Sequence, residues 1–207
     1  MARSKSSGQW LNQHFQDEYV LQARRQGYRS RAVYKLEEID LRDRIFRPGM
    51  KVLDLGAAPG GWSQYAVKKV GKKGVVVASD ILEMEAIPQV TFIEGDFHEQ
   101  AVLDRIVTEL ADARVDLVLS DMAPNMSGVR VTDQSRASYL AELALETVDS
   151  LLVKDGTFVV KLFHGAGFDE FVRQCRTQFK TVKVRKPKAS RDRSREVYLV
   201  AQGFKFG

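Results

Sequence analysis

Short apolar runs of strand length recur along this chain at residues 52–55, 75–78, 90–93, 115–119 and 158–163. Amphipathic helical stretches alternate with them at 63–70, 100–110, 137–152 and 168–179. The runs are almost wholly apolar and rich in β-branched residues, which suits parallel strands covered on both faces. Such alternation implies an α/β fold with a mostly parallel, doubly wound sheet and helices on both faces. Two more apolar runs, near 182–184 and 197–201, are separated only by the polar stretch RKPKASRDRSRE, which contains Pro187. Strands joined by a loop without a helix pair antiparallel, so the last strand should run against the rest of a seven-stranded sheet.

With 207 residues, 44% hydrophobic, the chain can build one domain with a sizeable core. No stretch approaches ~18 consecutive apolar residues, which argues against a membrane-spanning helix. The opening MARSKSSGQWLNQHF is basic but has no apolar block behind it, unlike a secretory signal. Cys175 is the single cysteine, so no internal disulfide is possible, and its place in a helical pattern suggests a buried core thiol. His14, His98 and His164 are widely spaced and do not resemble a metal-ligand set. These features point to a cytoplasmic, metal-free protein, expected to be monomeric.

The net charge of +5 is unevenly spread: residues 1–31 carry +4, residues 180–207 carry +7, and the body between them carries −6. Two concentrated basic ends favour a polyanionic partner such as nucleic acid. Residues 1–30 read as a basic amino-terminal extension, the first ten or so disordered, and residues 31–207 as a single domain. Arg24, Arg25, Arg29 and Arg31 from the first end, with Lys183, Arg185, Lys186, Lys188, Arg191, Arg193 and Arg195 from the second, are the expected phosphate contacts.

Between the first strand and the helix after it lies DLGAAPGGWSQ, three glycines and a proline at the carboxyl end of a strand. Open α/β sheets bind ligands at that edge, and glycine lets the backbone turn sharply and approach a ligand closely. The spacing departs from the dinucleotide pattern GxGxxG, since Ala57, Ala58 and Pro59 follow Gly56. Asp80, ending VVVASD, can accept hydrogen bonds from a ribose diol, and Asp96, in IEGDF, offers a second acceptor on the same edge. A phosphate-free nucleoside held by carboxylates fits better than a dinucleotide. S-adenosylmethionine, whose sulfonium suits nearby acids, is such a molecule.

Three charged residues interrupt the apolar pattern. Lys161 sits inside GTFVVKLF, where an ammonium is costly unless it is paired or loses its proton. Asp121 ends VDLVLSD and precedes MAPNMSG, a loop at the same edge, and Glu196 opens REVYLV. If that last strand is antiparallel, its beginning lies where the other strands end, so Asp121, Lys161 and Glu196 converge by topology. Lys35, in SRAVYKLEEI, belongs to a helix before the first strand, and nothing local distinguishes it from a surface lysine.

DLGAAPGGWSQ, SDMAPNMSG, VVKLF and SREVYLV, in this order, closely resemble the FtsJ/RrmJ group of ribosomal RNA ribose methyltransferases. The resemblance runs from about Trp10 to the end. It implies a Rossmann-like class I S-adenosylmethionine-dependent methyltransferase fold and methylation of a uridine ribose 2′-hydroxyl in large-subunit ribosomal RNA. The family's lysine–aspartate–lysine–glutamate tetrad falls on Lys35, Asp121, Lys161 and Glu196. Its cofactor positions fall on Gly60, Trp62, Asp80, Asp96 and Asp121. An oxidoreductase of the Tyr-x-x-x-Lys type would have only Tyr65 and Lys69 to use, directly behind the glycine loop, and a non-catalytic RNA-binding module would leave Lys161 unexplained.

Overall fold

The structure, a computed structural model, describes residues 17–111, 114–125, 127–191 and 194–206. The disorder expected of the first ten residues, and the phosphate contact expected of Arg193, lie outside these. The strands are β1 (Lys51–Leu55), β2 (Val75–Asp80), β3 (Val90–Glu94), β4 (Val115–Ser120), β5 (Leu152–Phe163), β6 (Phe179–Arg185) and β7 (Glu196–Phe204). The helices are α1 (Glu18–Arg25), α2 (Val33–Asp43), α3 (Gly61–Val70), α4 (Gln100–Glu109), α5 (Arg130–Leu151) and α6 (Phe168–Gln178).

One seven-stranded sheet has the order β3-β2-β1-β4-β5-β7-β6. Only β7 runs against its neighbours, and it lies inside the sheet between β5 and β6 rather than at an edge. The crossover through α6 sets β6 parallel to β5 but one strand further out. That leaves a slot in which the apolar β7 is buried on both sides. Alternate residues of the strands feed two cores. Val52, Leu117, Leu119, Val159, Tyr198 and Val200 pack with α1, α2 and α3, through Ala23, Leu36, Ile39 and Ala66. Leu53, Val118, Phe158, Val160 and Leu199 pack with α4, α5 and α6, through Ile106, Ala144 and Phe171.

Two boundaries differ from the periodicity. Helix α5 begins at Arg130, earlier than its apolar face suggests, because its first turn is exposed and is held by polar bonds instead. Asp133 accepts hydrogen bonds from the Ser127 and Gly128 N–H groups at 2.7 and 3.1 Å and from the Ser127 hydroxyl at 2.7 Å. These satisfy donors before the first turn. Strand β5 begins at Leu152, where residues read as the helix end already pair with Val115, and a kink at Asp155 (φ 64°) separates that pair from the main ladder. The basic amino-terminal segment packs from Asp17 onward: Val20 and Ala23 of α1 are buried.

Candidate active site

Strand order reverses between β1 and β4, so the crevice outside their carboxyl ends is where this kind of sheet takes a ligand. The loop from Gly56 to Gly60 forms one side. Gly60 adopts φ 106°, a conformation that disfavours side chains, and a Cβ there would lie 2.6 Å from Ile87 and 2.9 Å from Met84. Asp80 joins this loop to the one after β2: its Oδ2 accepts the Ala58 N–H and its Oδ1 the Leu82 N–H, each at 2.9 Å. Each oxygen keeps a lone pair for a further donor such as a ribose hydroxyl. Asp96 follows β3 on the same edge, half exposed, with His98 Nδ1 at 2.7 Å from its Oδ1.

Beneath the glycine loop, Asp54 on β1 is completely buried. Its Oδ2 accepts the Ser63 hydroxyl at 2.6 Å, and its Oδ1 has no partner among the described residues. Burial raises its pKa, the Ser63 bond opposes this, and the Asp121 and Asp80 charges add to it, pushing it up to about 7. The carboxylates of Asp80, Asp96 and Asp121 along this edge suit a ligand that brings hydroxyl donors and positive charge. S-adenosylmethionine, with a ribose diol and a sulfonium, fits those acceptors.

The four residues expected to converge do so. On the face covered by α2, Asp121, Lys161, Tyr198 and Glu196 follow from strand alternation, since Lys161 pairs with Tyr198 and Phe163 with Glu196 across β5 and β7. Lys161 Nζ lies 3.0 Å from Asp121 Oδ1 and also donates to the Asp121 carbonyl. The Tyr198 hydroxyl donates to Asp121 Oδ1 at 2.6 Å and accepts from Lys35 Nζ at 3.3 Å. Lys35, brought across by α2, pairs with Glu196 Oε1 at 2.7 Å. Two ion pairs are therefore bridged by one phenol. Burial disfavours the Asp121 carboxylate, but Lys161 and Lys35 beside it, helped by hydrogen bonds from Tyr198 and Lys161, hold it below the usual carboxylate range. Burial among the same acids pushes the Tyr198 hydroxyl well above its ordinary value, keeping it a donor. Next to the tetrad opens a cavity of about 290 Å³ lined by Arg31, Lys35, Arg191, Ser194 and Glu196, polar and basic at its rim.

Several expectations are redirected. The Trp62 side chain is buried, its indole N–H donating to the Ala32 carbonyl at 2.8 Å and its ring against Tyr198, so the main chain is what residue 62 offers a ligand. Tyr65 and Lys69 both bind Asp40, at 2.9 Å each, and serve the scaffold, not a redox site. Several cations expected on phosphates are bonded to groups of the protein itself. Arg185 and Lys183 hold the buried Asp43, which despite desolvation stays below its usual pKa because of them. Arg31 binds Asp17 and the Ala189 carbonyl, and Lys186 donates to the Ser194 and Glu196 carbonyls at 2.6 Å each. Arg29 binds backbone carbonyls of the loops around the glycine turn. Lys188, Arg191 and Arg195 are exposed.

Tyr198 and Asp54 escaped the sequence reading. Tyr198 could have been found, because it lies two residues after Glu196 in the same strand and so shares its face. Asp54 looks like an ordinary strand-end acid until its burial is seen. Among the described residues no group of three or more His, Cys, Asp or Glu is arranged to hold a metal ion. No described helix is long and apolar enough to cross a membrane.

The pattern of the FtsJ-like methyltransferases matches residues 28–204. A protein of Pseudomonas aeruginosa strain PAO1 named ribosomal RNA large subunit methyltransferase E is 60% identical over 205 residues, covering 99% of each chain. Its namesake in Pseudomonas paraeruginosa is 59% identical with the same coverage. A crystal structure from Plasmodium falciparum, described as a candidate ribosomal RNA methyltransferase, superposes with a TM-score of 0.78 at 29% identity, covering 87% of this chain and all of that one.

Proposed function

Because the chain belongs to the FtsJ-like methyltransferase family, we propose that it transfers a methyl group from S-adenosylmethionine to a uridine ribose 2′-hydroxyl of large-subunit ribosomal RNA. The observation that carries this reading is the chain of contacts Glu196–Lys35–Tyr198–Asp121–Lys161 at the mouth of a carboxylate-lined nucleoside crevice. The names of the Pseudomonas relatives support the ribosomal substrate.

Gly60, the main chain at Trp62, Asp80 and Asp96 would hold the adenosine portion, with Asp121 facing the sulfonium. When bound, S-adenosylmethionine supplies an electrophilic methyl group. A ribose hydroxyl is a weak nucleophile and must give up its proton as the methyl is transferred. Lys161 Nζ is the proton acceptor in this reading. The Lys161 ammonium, paired with Asp121 in the ligand-free protein, must first release a proton; the neutral amine then has two N–H donors and one lone pair. The Asp121 carbonyl and Oδ1 occupy both donors, leaving the lone pair for the hydroxyl. The ammonium that results finds the Asp121 carboxylate already in place, a preorganised stabilisation of the charge that develops. Lys35 and Glu196, locked to each other, orient the hydroxyl, and much of the acceleration comes from that alignment. Tyr198 fixes Asp121 and Lys35 relative to each other. Arg191 and Arg195 contact phosphates beside the target ribose.

Purified protein, methyl-labelled S-adenosylmethionine and large ribosomal subunits lacking the modification provide the test. One ribose should become labelled and resist alkaline cleavage at its phosphodiester. Label on a base, or none on ribosomal RNA, would overturn the reading.

A further inference from the structure

The stretch between α1 and α2 crosses the glycine turn and is tied to it. Gln64 on α3 accepts the Arg29 N–H at 2.9 Å and donates to the Gly27 carbonyl at 3.2 Å. A Cβ on Gly61 would lie 2.5 Å from Ser30 Oγ, so the second glycine of GGW makes room for this crossing chain. The crossing delivers the guanidinium of Arg29 to the outer side of the cofactor crevice.

There it bridges two loops. Nη1 donates to the carbonyls of Pro59, at 3.3 Å, and Glu85, at 2.6 Å, and Nη2 to that of Ala86, at 2.8 Å. Pro59 belongs to the glycine turn, and Glu85 and Ala86 to the loop after β2. Among the described residues the one carboxylate paired with it, Glu85 Oε2 at 3.9 Å, is 93% exposed, so the charge is directed mainly at carbonyl oxygens. The same two loops carry Ala58 and Leu82, whose N–H groups hold Asp80 from the inner side, and Met84 and Ile87, which close on Gly60. The loops are therefore joined twice, by Asp80 from within and by Arg29 from without.

We propose that Arg29 is a positioning residue for the cofactor, holding the glycine turn against the β2–β3 loop at the spacing a bound nucleoside needs. The proposal rests on the S-adenosylmethionine reading above. The planar guanidinium is well shaped for this bridge, because its fixed fork serves carbonyls on two segments at once, which a single ammonium does less well. Without it those exposed loops move apart, and the cofactor must order them as it binds. Arg29 bonds none of Lys35, Asp121, Lys161 or Glu196, so the chemical step stands apart from it, and its guanidinium N–H groups are given to carbonyls instead of a phosphate. This is a different role from the phosphate contact that its place in a basic segment suggested.

Arg29→Ala and Arg29→Lys in the full chain test this by exchange, binding and kinetics. The first is hydrogen exchange of the ligand-free protein over residues 56–60 and 82–87. The second is calorimetry with S-adenosylhomocysteine, followed by steady-state kinetics. Arg29→Ala should speed exchange in both segments and weaken S-adenosylhomocysteine about tenfold or more, as expected when charge-assisted hydrogen bonds are removed. The KM for S-adenosylmethionine should rise equally, with kcat and the RNA KM within about twofold of native, and Arg29→Lys should recover part of the affinity. Unchanged exchange, unchanged affinity, or an effect confined to the RNA KM would each overturn the proposal. A native protein that fails to bind S-adenosylhomocysteine at all would instead overturn the cofactor reading, and with it the role proposed for Arg29.

Discussion

Replacing Asp54 by asparagine should abolish a pH dependence that this carboxyl imposes on folding. Asp54 is fully buried on β1, with Ser63 its one hydrogen-bond partner among the described residues, and its pKa is pushed up to about 7 from an ordinary 3.8. The unfolded chain releases this proton near the ordinary value, the folded chain only near the raised one. Between them folding takes up a proton, so the contribution to stability is complete at low pH, declines as pH rises, and levels off above about pH 7. Each pH unit corresponds to about 1.4 kcal/mol, so the full decline is roughly 4 kcal/mol. Asp54→Asn keeps the side-chain size and cannot titrate there. Its stability relative to the native chain should therefore rise by roughly 4 kcal/mol from about pH 4 to about pH 7.5. Urea unfolding of both ligand-free proteins across this range measures the difference. A constant offset from the altered hydrogen bonding is expected and leaves the slope untouched. A difference that stays flat to within about 1 kcal/mol would refute an Asp54 that is protonated in the folded state.

Four further outcomes are expected. Lys161→Ala and Lys161→Arg should both retain S-adenosylmethionine and RNA binding yet lose methyl transfer by ~10²–10⁴-fold, because guanidinium stays protonated; near-native single-turnover rates for Lys161→Arg would show that charge alone suffices. Asp80→Ala should weaken S-adenosylmethionine by about 1–3 kcal/mol in calorimetry, since Ala58 and Leu82 lose their acceptor along with any ribose contact, and unaltered affinity would remove Asp80 from the site. Neutralising Arg191 and Arg195 together should lower the slope of log affinity for RNA against log salt by about 0.7–0.9 for each phosphate left without its cation, whereas Arg185→Ala should chiefly lower the urea midpoint, because it uncovers the buried Asp43.

The α/β sheet was legible because strands buried on both faces must be apolar along their whole length, a local property that survives in the linear pattern. The direction of β7 was legible as well, since the chain between β6 and β7 is too polar to make a covering helix. Glu196 could be placed at the reactive edge on that ground alone, next to Asp121 and Lys161. Lys35 could not, because a helix-borne lysine has no local mark of its target and only the family resemblance pointed to it.

What the linear order determined by itself was therefore the element types, the edge that carries the glycine turn, and three of the four converging charged residues. Tertiary structure decided which partner each remaining polar group meets. The insertion of β7 between β5 and β6 sets Tyr198 opposite Lys161, and the packing of α2 brings Lys35 to Glu196. Among the cations of the two basic ends, it separated Arg29, Arg31 and Arg185, partly buried on carbonyls or acids of the protein, from the exposed Lys188, Arg191 and Arg195. The physical reason is the range of the signal. Periodic burial is written over neighbouring residues, whereas an ion pair such as Asp43 with Arg185 joins groups 142 positions apart, and a basic side chain looks the same in sequence whether it meets a buried carboxylate or water.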